Sequence, residues 1–447
     1  MTDRTLKSRV KSFFRKDSAA GIMLIIATIA ALIIANSPLG NAYHALLENR
    51  IVFGISGMII DETFHHWIND GLMAIFFLLV GLEIKRELKY GELSTVQSAL
   101  LPAVAALGGA IVPALIYYFF TGGTAFIEGW AIAIATDIAF VIGIMALLGS
   151  KMPVWAKVFV TAVAVVDDLI AVLAIAFFYT ADIDMPALGI AGICLALLLF
   201  FNFRKVNRLS PYMIIGFVMW WAVLKSGVHA TVAGVVLGFV IPASRQWSVE
   251  KLKDYAREGF ELFKQATDKN LPVTREQALT HMDKTVEQAK SPLHRLEHKL
   301  HGVVYFVVMP LFALANAGIA LDLQTLDDAF SSPLTWGIIL GLFVGKQIGI
   351  FGSTWALTKM GFSGLPDSKE TWKVVYGVAL LGGVGFTMSL FIANLAFQEA
   401  LFLEYSKVGI LIGSLLSGIL GYYFLSRRPE YEVNNQDELE FSAKHEN

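Results

Sequence analysis

Two adjacent carboxylates, Asp167 and Asp168, are the residues whose type and position most clearly indicate chemistry. They lie near the middle of an apolar run from about residue 153 to residue 178, which is long enough to span a bilayer. An ionised side chain at that depth costs about 3 kcal/mol by insertion scales, so a pair of them requires a reason. Carboxylate oxygens bind hard cations and also accept protons.

Other ionisable residues lie at the same depth in neighbouring apolar runs. Asp137 is close to the middle of the run 127–149, and Lys346 is close to the middle of the run 333–357. Because random placement would rarely give one common depth, we predict a single buried site at the membrane midplane. Its predicted members are Thr136, Asp137, Asp167, Asp168 and Lys346.

The donor types in this predicted site suit a hard monovalent cation. Carboxylates, a Thr hydroxyl and freed backbone carbonyls are sodium ligands, whereas the sequence has no Cys or His cluster for a softer metal. We predict Asp167 and Asp168 as the Na+ ligands. Adjacent residues of a helix point about 100° apart, so one faces the ion and the other faces a partner such as Lys346. Sodium and protons then compete for the same oxygens, and alternating access exchanges them.

Two of the runs that should cross at this depth contain helix breakers. Gly382-Gly383-Val384-Gly385 interrupts one run, and Thr136-Asp137 interrupts another. Irregular backbone at the midplane is tolerated only where protein or water surrounds it. Two broken helices would leave positive N-terminal ends and negative C-terminal ends there, and an Asp can neutralise the former and a Lys the latter. A purely structural role therefore stays open for Asp137 and Lys346.

The composition is that of a polytopic membrane protein. The chain has 447 residues, is 56% hydrophobic and 16% charged, and has a mean hydropathy of +0.61. Its net charge of -2 argues against nucleic-acid binding. The single cysteine, Cys194, excludes an intramolecular disulfide and argues against a structural metal site. We expect no cofactor.

Apolar runs recur along the chain and predict one all-α integral membrane unit, residues 1–447, with about twelve transmembrane helices. The runs 212–224 and 228–241 are short, and both of their flanks are basic, so we predict two short helices there. The predicted spans are 19–35, 70–84, 98–120, 127–149, 153–178, 186–203, 212–224, 228–241, 300–320, 333–357, 372–397 and 404–425.

The charges of the connecting segments predict the topology. Basic residues mark both ends of the chain and alternate loops, so the positive-inside rule places both termini in the cytoplasm. The run 19–35 is too long for a secretory signal and is predicted to be a retained helix. The long insertion 243–296 is predicted to be cytoplasmic, with an amphipathic helix at 248–267 and no chemical motif.

Residues 50–61 have β-branched side chains on both sides of a glycine-bounded turn, which predicts an extracytoplasmic β-hairpin. A plain loop is the alternative. A homodimer formed through this hairpin is a further expectation.

A weak internal repeat appears when residues 98–180 are aligned with residues 332–425. Phe140 then matches Phe386, and the two helix breaks fall opposite each other. The predicted topology starts the first unit outside and the second inside, so the repeat is inverted.

Several motifs of this chain resemble the signatures of the NhaA-type sodium/proton antiporters, over nearly all of it except residues 243–290 and both tails. The motifs are Thr136-Asp137-Ile138-Ala139-Phe140, Val166-Asp167-Asp168-Leu169, Lys225-Ser226-Gly227-Val228-His229-Ala230-Thr231, Leu314-Ala315-Asn316-Ala317-Gly318 and Gly385-Phe386-Thr387-Met388-Ser389. The resemblance implies the fold with an inverted repeat and two crossing broken helices. It also implies an inner-membrane secondary transporter, not an enzyme, that expels sodium or lithium while protons enter.

The resemblance implies a role for each residue of the predicted site. Asp168 would be the essential ion ligand and Asp167 a contributing one. Lys346 would pair with Asp167 and could itself carry a proton. Thr136 and Asp137 would lie at the helix crossing.

The resemblance further implies activation at alkaline pH. The residues that match those implicated in this response are Glu83, Lys85, Arg86, Glu87, Glu297 and His229. By sequence alone they are ordinary charges near cytoplasmic helix ends and one helix-end histidine. The chain departs from the family in its long insertion before Glu297, and in Gln347, which follows Lys346 where many relatives have Pro.

Stoichiometry follows if sodium binds with both aspartates ionised and leaves when both are protonated. Two protons then exchange for one sodium, and a neutral Lys346 in the sodium state gives the same count, so the exchange is electrogenic.

Two alternatives to this function stay open. One is a sodium-coupled symporter of an organic anion, for which Lys346 would be the only cationic ligand. The other is an intramembrane aspartyl protease, although the chain lacks the Gly-x-Gly-Asp signature of such enzymes.

Overall fold

The computed structural model describes residues 17–55, 58–180, 183–244, 249–268, 276–280, 290–319, 322–362, 365 and 368–427. Five of the predictions above include residues that are not described. They concern the basic N-terminal segment, the turn of the hairpin, part of the insertion 243–296, the last residue of the span 300–320, and residues 363–364 and 366–367 of the repeat unit 332–425.

The described chain is almost entirely helical. Its helices are α1 (Asp17–Ala35), α2 (Gly40–Glu48), α3 (Phe64–Tyr90), α4 (Val96–Thr121), α5 (Ile138–Leu148), α6 (Val154–Phe178), α7 (Met185–Phe203), α8 (Leu209–Lys225), α9 (Ala230–Val240), α10 (Val249–Asp268), α11 (Pro292–Asn316), α12 (Leu323–Ser331), α13 (Pro333–Lys359), α14 (Lys369–Gly382), α15 (Phe386–Ala396) and α16 (Ala400–Ser426). A 3₁₀ helix, Ala125–Ile134, precedes α5, and residues 276–280 form a short helix.

The prediction of an all-α polytopic membrane protein is confirmed. In the described part of the chain, nine helical segments are long and apolar enough to cross a membrane, and the bent pair of α1 and α2 is a tenth candidate. The two remaining predicted spans correspond to the shorter helices α8 and α9. An 11-residue helix such as α9 is about 16 Å long, which is roughly half the hydrocarbon thickness.

The predicted β-hairpin is also confirmed. Strands β1 (Arg50–Ile55) and β2 (Met58–Thr63) pair in antiparallel register, with Arg50 opposite Thr63. Arg50 Nε donates a hydrogen bond of 2.9 Å to the carboxylate of Asp61, so an exposed ion pair joins the two strands. The extracytoplasmic location of the hairpin and its role in a dimer stay predictions.

The chain divides into two compact units. The first contains residues 1–76, 87–181 and 304–447, and the second contains residues 77–86 and 182–303. All five residues of the predicted ion site belong to the first unit. Both segments of the predicted internal repeat belong to it too, although the repeat itself stays a prediction.

The second unit is built around α7, α8 and α9, whose side chains share one apolar core with the nearby part of α3. Its buried members include Leu82, Leu198, Tyr212, Met219 and Leu237. The predicted amphipathic helix of the insertion is present as α10, which is exposed from residue 253 to residue 258.

Two interrupted helices organise the first unit. The 3₁₀ helix before α5 stops at Ile134 and is followed by a break of three residues. Asp137, the last of these three, caps the start of α5. Likewise α14 stops at Gly382 and α15 starts at Phe386. A Cβ atom at Gly383, within the second break, would lie 2.4 Å from the carbonyl oxygen of Leu342, so only glycine allows this approach.

Helix α13 lies directly on α4, and this contact fixes the position of Lys346. A Cβ atom at Gly349 would lie 2.1 Å from the carbonyl oxygen of Gly108, and one at Gly345 would lie 2.7 Å from Pro113 Cα. Helix α13 is π-helical on both sides of Lys346. Such turns are frequent at functional sites, and here they flank the one lysine of the predicted ion site.

Replacing Gly349 tests the contact between α13 and α4. We expect Gly349→Ala to lower the free energy of unfolding by about 1–3 kcal/mol, because the new methyl group forces two backbones apart. Gly352→Ala is the matched control on the same helix, since a Cβ there meets no atom within 4 Å. It should be neutral or stabilising by up to about 1 kcal/mol. Thermal unfolding of the purified protein in detergent measures both, and equal effects would contradict the close contact.

Candidate functional site

The predicted lysine, one aspartate and the threonine meet in the first unit. Lys346 Nζ donates to Asp167 Oδ2 at 2.6 Å and to Thr136 Oγ1 at 3.0 Å. Thr136 Oγ1 lies 2.6 Å from the same carboxylate oxygen, to which it can donate. Lys346 is 0% exposed and Asp167 is 4% exposed. The three polar groups therefore form one buried cluster, as the common depth of their runs predicted.

The carboxylate of Asp167 is used on one side only. Lys346 and Thr136 both contact Oδ2, whereas Oδ1 is buried and has no hydrogen-bond partner within the described structure. A buried carboxylate oxygen without a partner is costly, and it can receive a proton or a cation. The cluster therefore has an open ligand atom next to a fixed positive charge.

Asp168 follows Asp167 on α6 and is equally buried, at 4% exposed. Because successive helical residues point about 100° apart, the two carboxylates face different directions. The structure thus brings Thr136, Asp167 and Lys346 into contact and places Asp168 at the next position of the helix.

Asp137 connects the two broken helices. Its Oδ1 accepts a hydrogen bond of 3.0 Å from the backbone N–H of Phe140, near the start of α5. Its Oδ2 accepts bonds from Thr387, at 3.1 Å from the backbone N–H and 2.5 Å from the hydroxyl, near the start of α15. The backbone N–H of Asp137 also donates to the carbonyl oxygen of Val384 at 2.7 Å.

These contacts are the structural role that the sequence left open for Asp137. Each helix N-terminus carries about half a positive charge, so two of them balance one carboxylate. Both carboxylate oxygens of Asp137 are occupied by these caps, and in the described residues no hydrogen bond joins Asp137 to Asp167 or Lys346. Its role as an ion ligand stays a prediction.

The negative C-terminal end of α14 is contacted by Thr136. Its hydroxyl lies 3.0 Å from the carbonyl oxygen of Gly382, the last residue of α14. Lys346 contacts that hydroxyl rather than the carbonyl, so its charge acts on the helix end through Thr136. The predicted neutralisation by Lys346 is therefore indirect.

Gln347 joins α13 to α14. Its Nε2 donates to the carbonyl oxygen of Phe343 at 2.6 Å, and Tyr376 of α14 donates to its Oε1 at 2.8 Å. The sequence identified Gln347 only as a departure from the family. The tyrosine partner has no signal in the sequence, because 29 residues separate the two.

Most of the residues predicted for the pH response lie in the second unit. Lys85 Nζ donates to the carbonyl oxygens of Phe239 and Ile241, at 2.7 and 2.5 Å, and so caps the C-terminal end of α9. Arg86 forms an ion pair with Glu297, which is buried on α11. The structure therefore brings Arg86 and Glu297 together and gives Lys85 a separate contact.

The other residues predicted for the pH response are less clustered. Glu83 lies on α3, half-buried, and His229 lies at the N-terminal end of α9. Glu87 belongs to the first unit, where its carboxylate accepts a hydrogen bond of 3.2 Å from the backbone N–H of Glu92.

A small cavity of about 220 Å³ adjoins the pair of Arg86 and Glu297. Sequence reasoning missed the other residues that line it, which are Lys290, His294, His298 and His301. The signal was available, since three histidines at spacings of four and three share one face of a helix.

The comparisons with known proteins agree with this architecture. The sequence matches the family described as Na+/H+ antiporter 1 over residues 11–425. It is 48% identical to the Na(+)/H(+) antiporter NhaA of Rhodospirillum rubrum over 94% of this chain and 98% of that protein. It is 44% identical to the protein of the same name from Oleidesulfovibrio alaskensis (94% and 95%) and 45% identical to that from Bordetella parapertussis (94% and 97%).

Removing the Asp137 carboxylate should destabilise the crossing of the broken helices. We expect Asp137→Ala to lower the free energy of unfolding by about 1–4 kcal/mol, because two helix N-termini lose a cap and its charge. Thermal unfolding in detergent is the measurement. Asp322→Ala is the control, since Asp322 caps only the exposed helix α12. An equal or larger loss in the control would refute the double cap.

A double-mutant cycle tests the pair of Lys346 and Asp167. Lys346→Met and Asp167→Asn should each lower the free energy of unfolding by about 3–5 kcal/mol, because each leaves one buried charge without its partner. The double variant should lose clearly less than the sum of the two. Unfolding of all four proteins in one detergent gives the coupling. Additive losses would show that the two charges do not stabilise each other.

Proposed function

Because this chain belongs to the Na+/H+ antiporter 1 family, we propose that it exchanges sodium ions for protons across the membrane that its helices span. The single observation that carries the chemistry is the buried Asp167 carboxylate, which has one oxygen on Lys346 and one oxygen open. Antiporters of this family are secondary transporters and not enzymes. The names of the relatives favour neither the organic-anion symporter nor the aspartyl protease.

The proposed ion site consists of Asp167 and Asp168, with the hydroxyl of Thr136 as a further ligand and Lys346 as the competing cation. Sodium bound at Asp167 Oδ1 would lie beside the ammonium group of Lys346, which is held by the other oxygen. Two positive charges at one buried carboxylate repel each other strongly, because the surroundings screen poorly. Sodium binding and proton loss are therefore coupled at this cluster.

Proton counting makes the proposed exchange electrogenic. One sodium binds when the site has released two protons, either from both aspartates or from one aspartate and Lys346. Each cycle then moves one net charge, so an inside-negative potential drives protons inward and sodium outward. Exchange in proteoliposomes that does not respond to membrane potential would contradict this count.

Alternating access is proposed to involve the two broken helices and the inverted repeat units, 98–180 and 332–425. Support comes from the order of elements, since each interrupted helix stands between two continuous ones. Asp137 joins the two N-terminal ends. On the C-terminal side, the Thr136 hydroxyl contacts the carbonyl oxygen of Gly382, and Ser389 Oγ donates to the carbonyl oxygen of Ile132 near the end of the 3₁₀ helix.

The finer features of the function are also proposals. We place the protein in the cell inner membrane with both termini in the cytoplasm, and we include lithium among its substrates. Activation at alkaline pH would act through Glu83, Lys85, Arg86, Glu87, Glu297 and His229. The contact of Lys85 with α9 and the pair of Arg86 with Glu297 support such a network. The hairpin 50–61, whose strands β1 and β2 are paired, is the proposed contact of a homodimer.

The function is tested in everted membrane vesicles that hold a pH gradient reported by a fluorescent weak base. Sodium or lithium added to wild-type vesicles should dissipate the gradient, with a stronger response at alkaline pH. We expect Asp168→Asn to lose at least about tenfold in initial rate, because a ligand and a proton carrier are removed together. The conservative variant Asp328→Asn removes an exposed carboxylate of α12 and should retain the wild-type rate.

Potassium serves as the ion control in the same vesicles, and immunoblotting normalises each variant for its amount in the membrane. Dissipation that survives in Asp168→Asn at normal protein level would overturn the assignment of the ion site. Absence of any response to sodium or lithium in the wild type would overturn the antiport itself.

A further inference from the structure

A large cavity of about 1230 Å³ lies in the first unit, and none of the residues of the predicted ion site lines it. Its walls come from α4, from the 3₁₀ helix before α5, from the end of α6, and from the connection between α15 and α16. These walls divide into an apolar groove and a polar mouth.

The apolar groove follows one face of α4. Leu107, Ile111 and Leu115 line it and are 48%, 55% and 61% exposed. They recur every four residues on a helix that is apolar enough to span a membrane, so their exposed face lies in hydrocarbon. From Leu107 to Tyr118 the groove runs about 16 Å, at about 1.5 Å per residue. That length is close to one leaflet of a hydrocarbon core about 30 Å thick.

The mouth of the cavity has the residues of a membrane–water interface. It lies at helix ends, since Tyr118 is in the last turn of α4, Tyr179 directly follows α6 and Glu399 directly precedes α16. The hydroxyl of Tyr179 donates to the backbone carbonyl of Glu128. Amphipathic aromatic rings concentrate at the level of lipid headgroups. The charged residues that line the cavity are Glu128 and Glu399, and no lysine or arginine lines it in the described part of the chain. The mouth is therefore complementary to a cationic headgroup and unfavourable to an anionic one.

We propose that this cavity binds one phospholipid with a primary ammonium headgroup. One acyl chain lies along the groove of α4, and the ammonium group lies at Glu128 and Glu399. A lipid fits better than a water-soluble amine, because the groove faces hydrocarbon for its whole length. With the predicted topology, the lipid belongs to the extracytoplasmic leaflet.

The bound lipid would lie against elements that position the ion cluster. Ile134 and Ile170 line the cavity. Ile134 precedes Thr136 by two residues, and Ile170 follows Asp167 by three. The headgroup site is nevertheless separate from the ion cluster, and its occupancy does not depend on antiport.

Native mass spectrometry of the delipidated full chain tests the proposal. Phosphatidylethanolamine and phosphatidylglycerol with identical acyl chains are added together at equal concentration. We expect the first bound lipid to be phosphatidylethanolamine about five times as often as phosphatidylglycerol, a preference that two exposed charge pairs can supply. Glu128→Gln with Glu399→Gln should abolish this preference. Asp327→Asn with Asp328→Asn, which removes two exposed carboxylates of α12, should leave it unchanged.

A second pair of measurements locates the lipid. Ala114→Phe, which fills the groove, should lower the binding of both lipids, and a photoreactive acyl chain on phosphatidylethanolamine should label residues 107–118. Equal binding of the two lipids by the wild type, or label elsewhere, would overturn the proposal. Displacement of phosphatidylethanolamine by glycerophosphoethanolamine at the same concentration would also overturn the proposal, because glycerophosphoethanolamine has no acyl chains to fill the groove. These results leave the sodium/proton exchange untouched, since no ion gradient is used.

Discussion

A buried ammonium–carboxylate contact, between Lys346 and Asp167, is the constraint on which the first unit depends. Each charge alone would cost about 3 kcal/mol or more inside a bilayer on insertion scales. Because separating the two charges would incur that cost, α6 and α13 cannot move far from each other. The contact also depends on the close approach of α13 to α4, since the glycines of α13 fix the position of Lys346 relative to α4. Packing of small residues thus determines where the charges meet.

The helix crossing beside this contact is balanced in charge by a single residue on its positive side. Asp137 offsets two N-terminal ends, and its hydrogen bonds reach both half-helices. On the negative side, the hydroxyl of Thr136, with the ammonium of Lys346 behind it, contacts the end of α14, and Ser389 Oγ donates to the carbonyl oxygen of Ile132 near the end of the 3₁₀ helix. In the proposed exchange, a sodium ion or proton that arrives at Asp167 changes the charge next to the end of α14, because Thr136 contacts both Asp167 and Gly382. Thr136 therefore connects the proposed ion site to one of the two helix breaks.

The depth of charged residues in apolar runs was enough to predict that Thr136, Asp167 and Lys346 meet. One helix break was predicted from Thr136-Asp137 and the other from the glycines of residues 382–385. The cap from Asp137 to Thr387 was not predictable, because its partners are 250 residues apart and no local pattern relates them. The same holds for Tyr376 and Gln347. Local signals give elements and their breaks, whereas contacts between distant helices need the packed structure.

The carboxylate of Asp167 is used on one side only, and this is the feature on which the proposed ion binding rests. A buried acceptor without a hydrogen bond costs about 1–3 kcal/mol. Here Lys346 and Thr136 share Oδ2, and Oδ1 has no hydrogen-bond partner within the described residues. In the proposed exchange, a sodium ion or a proton occupies this oxygen and offsets the cost. The ammonium group of Lys346, held by the other oxygen, would couple either event to the charge of the whole cluster.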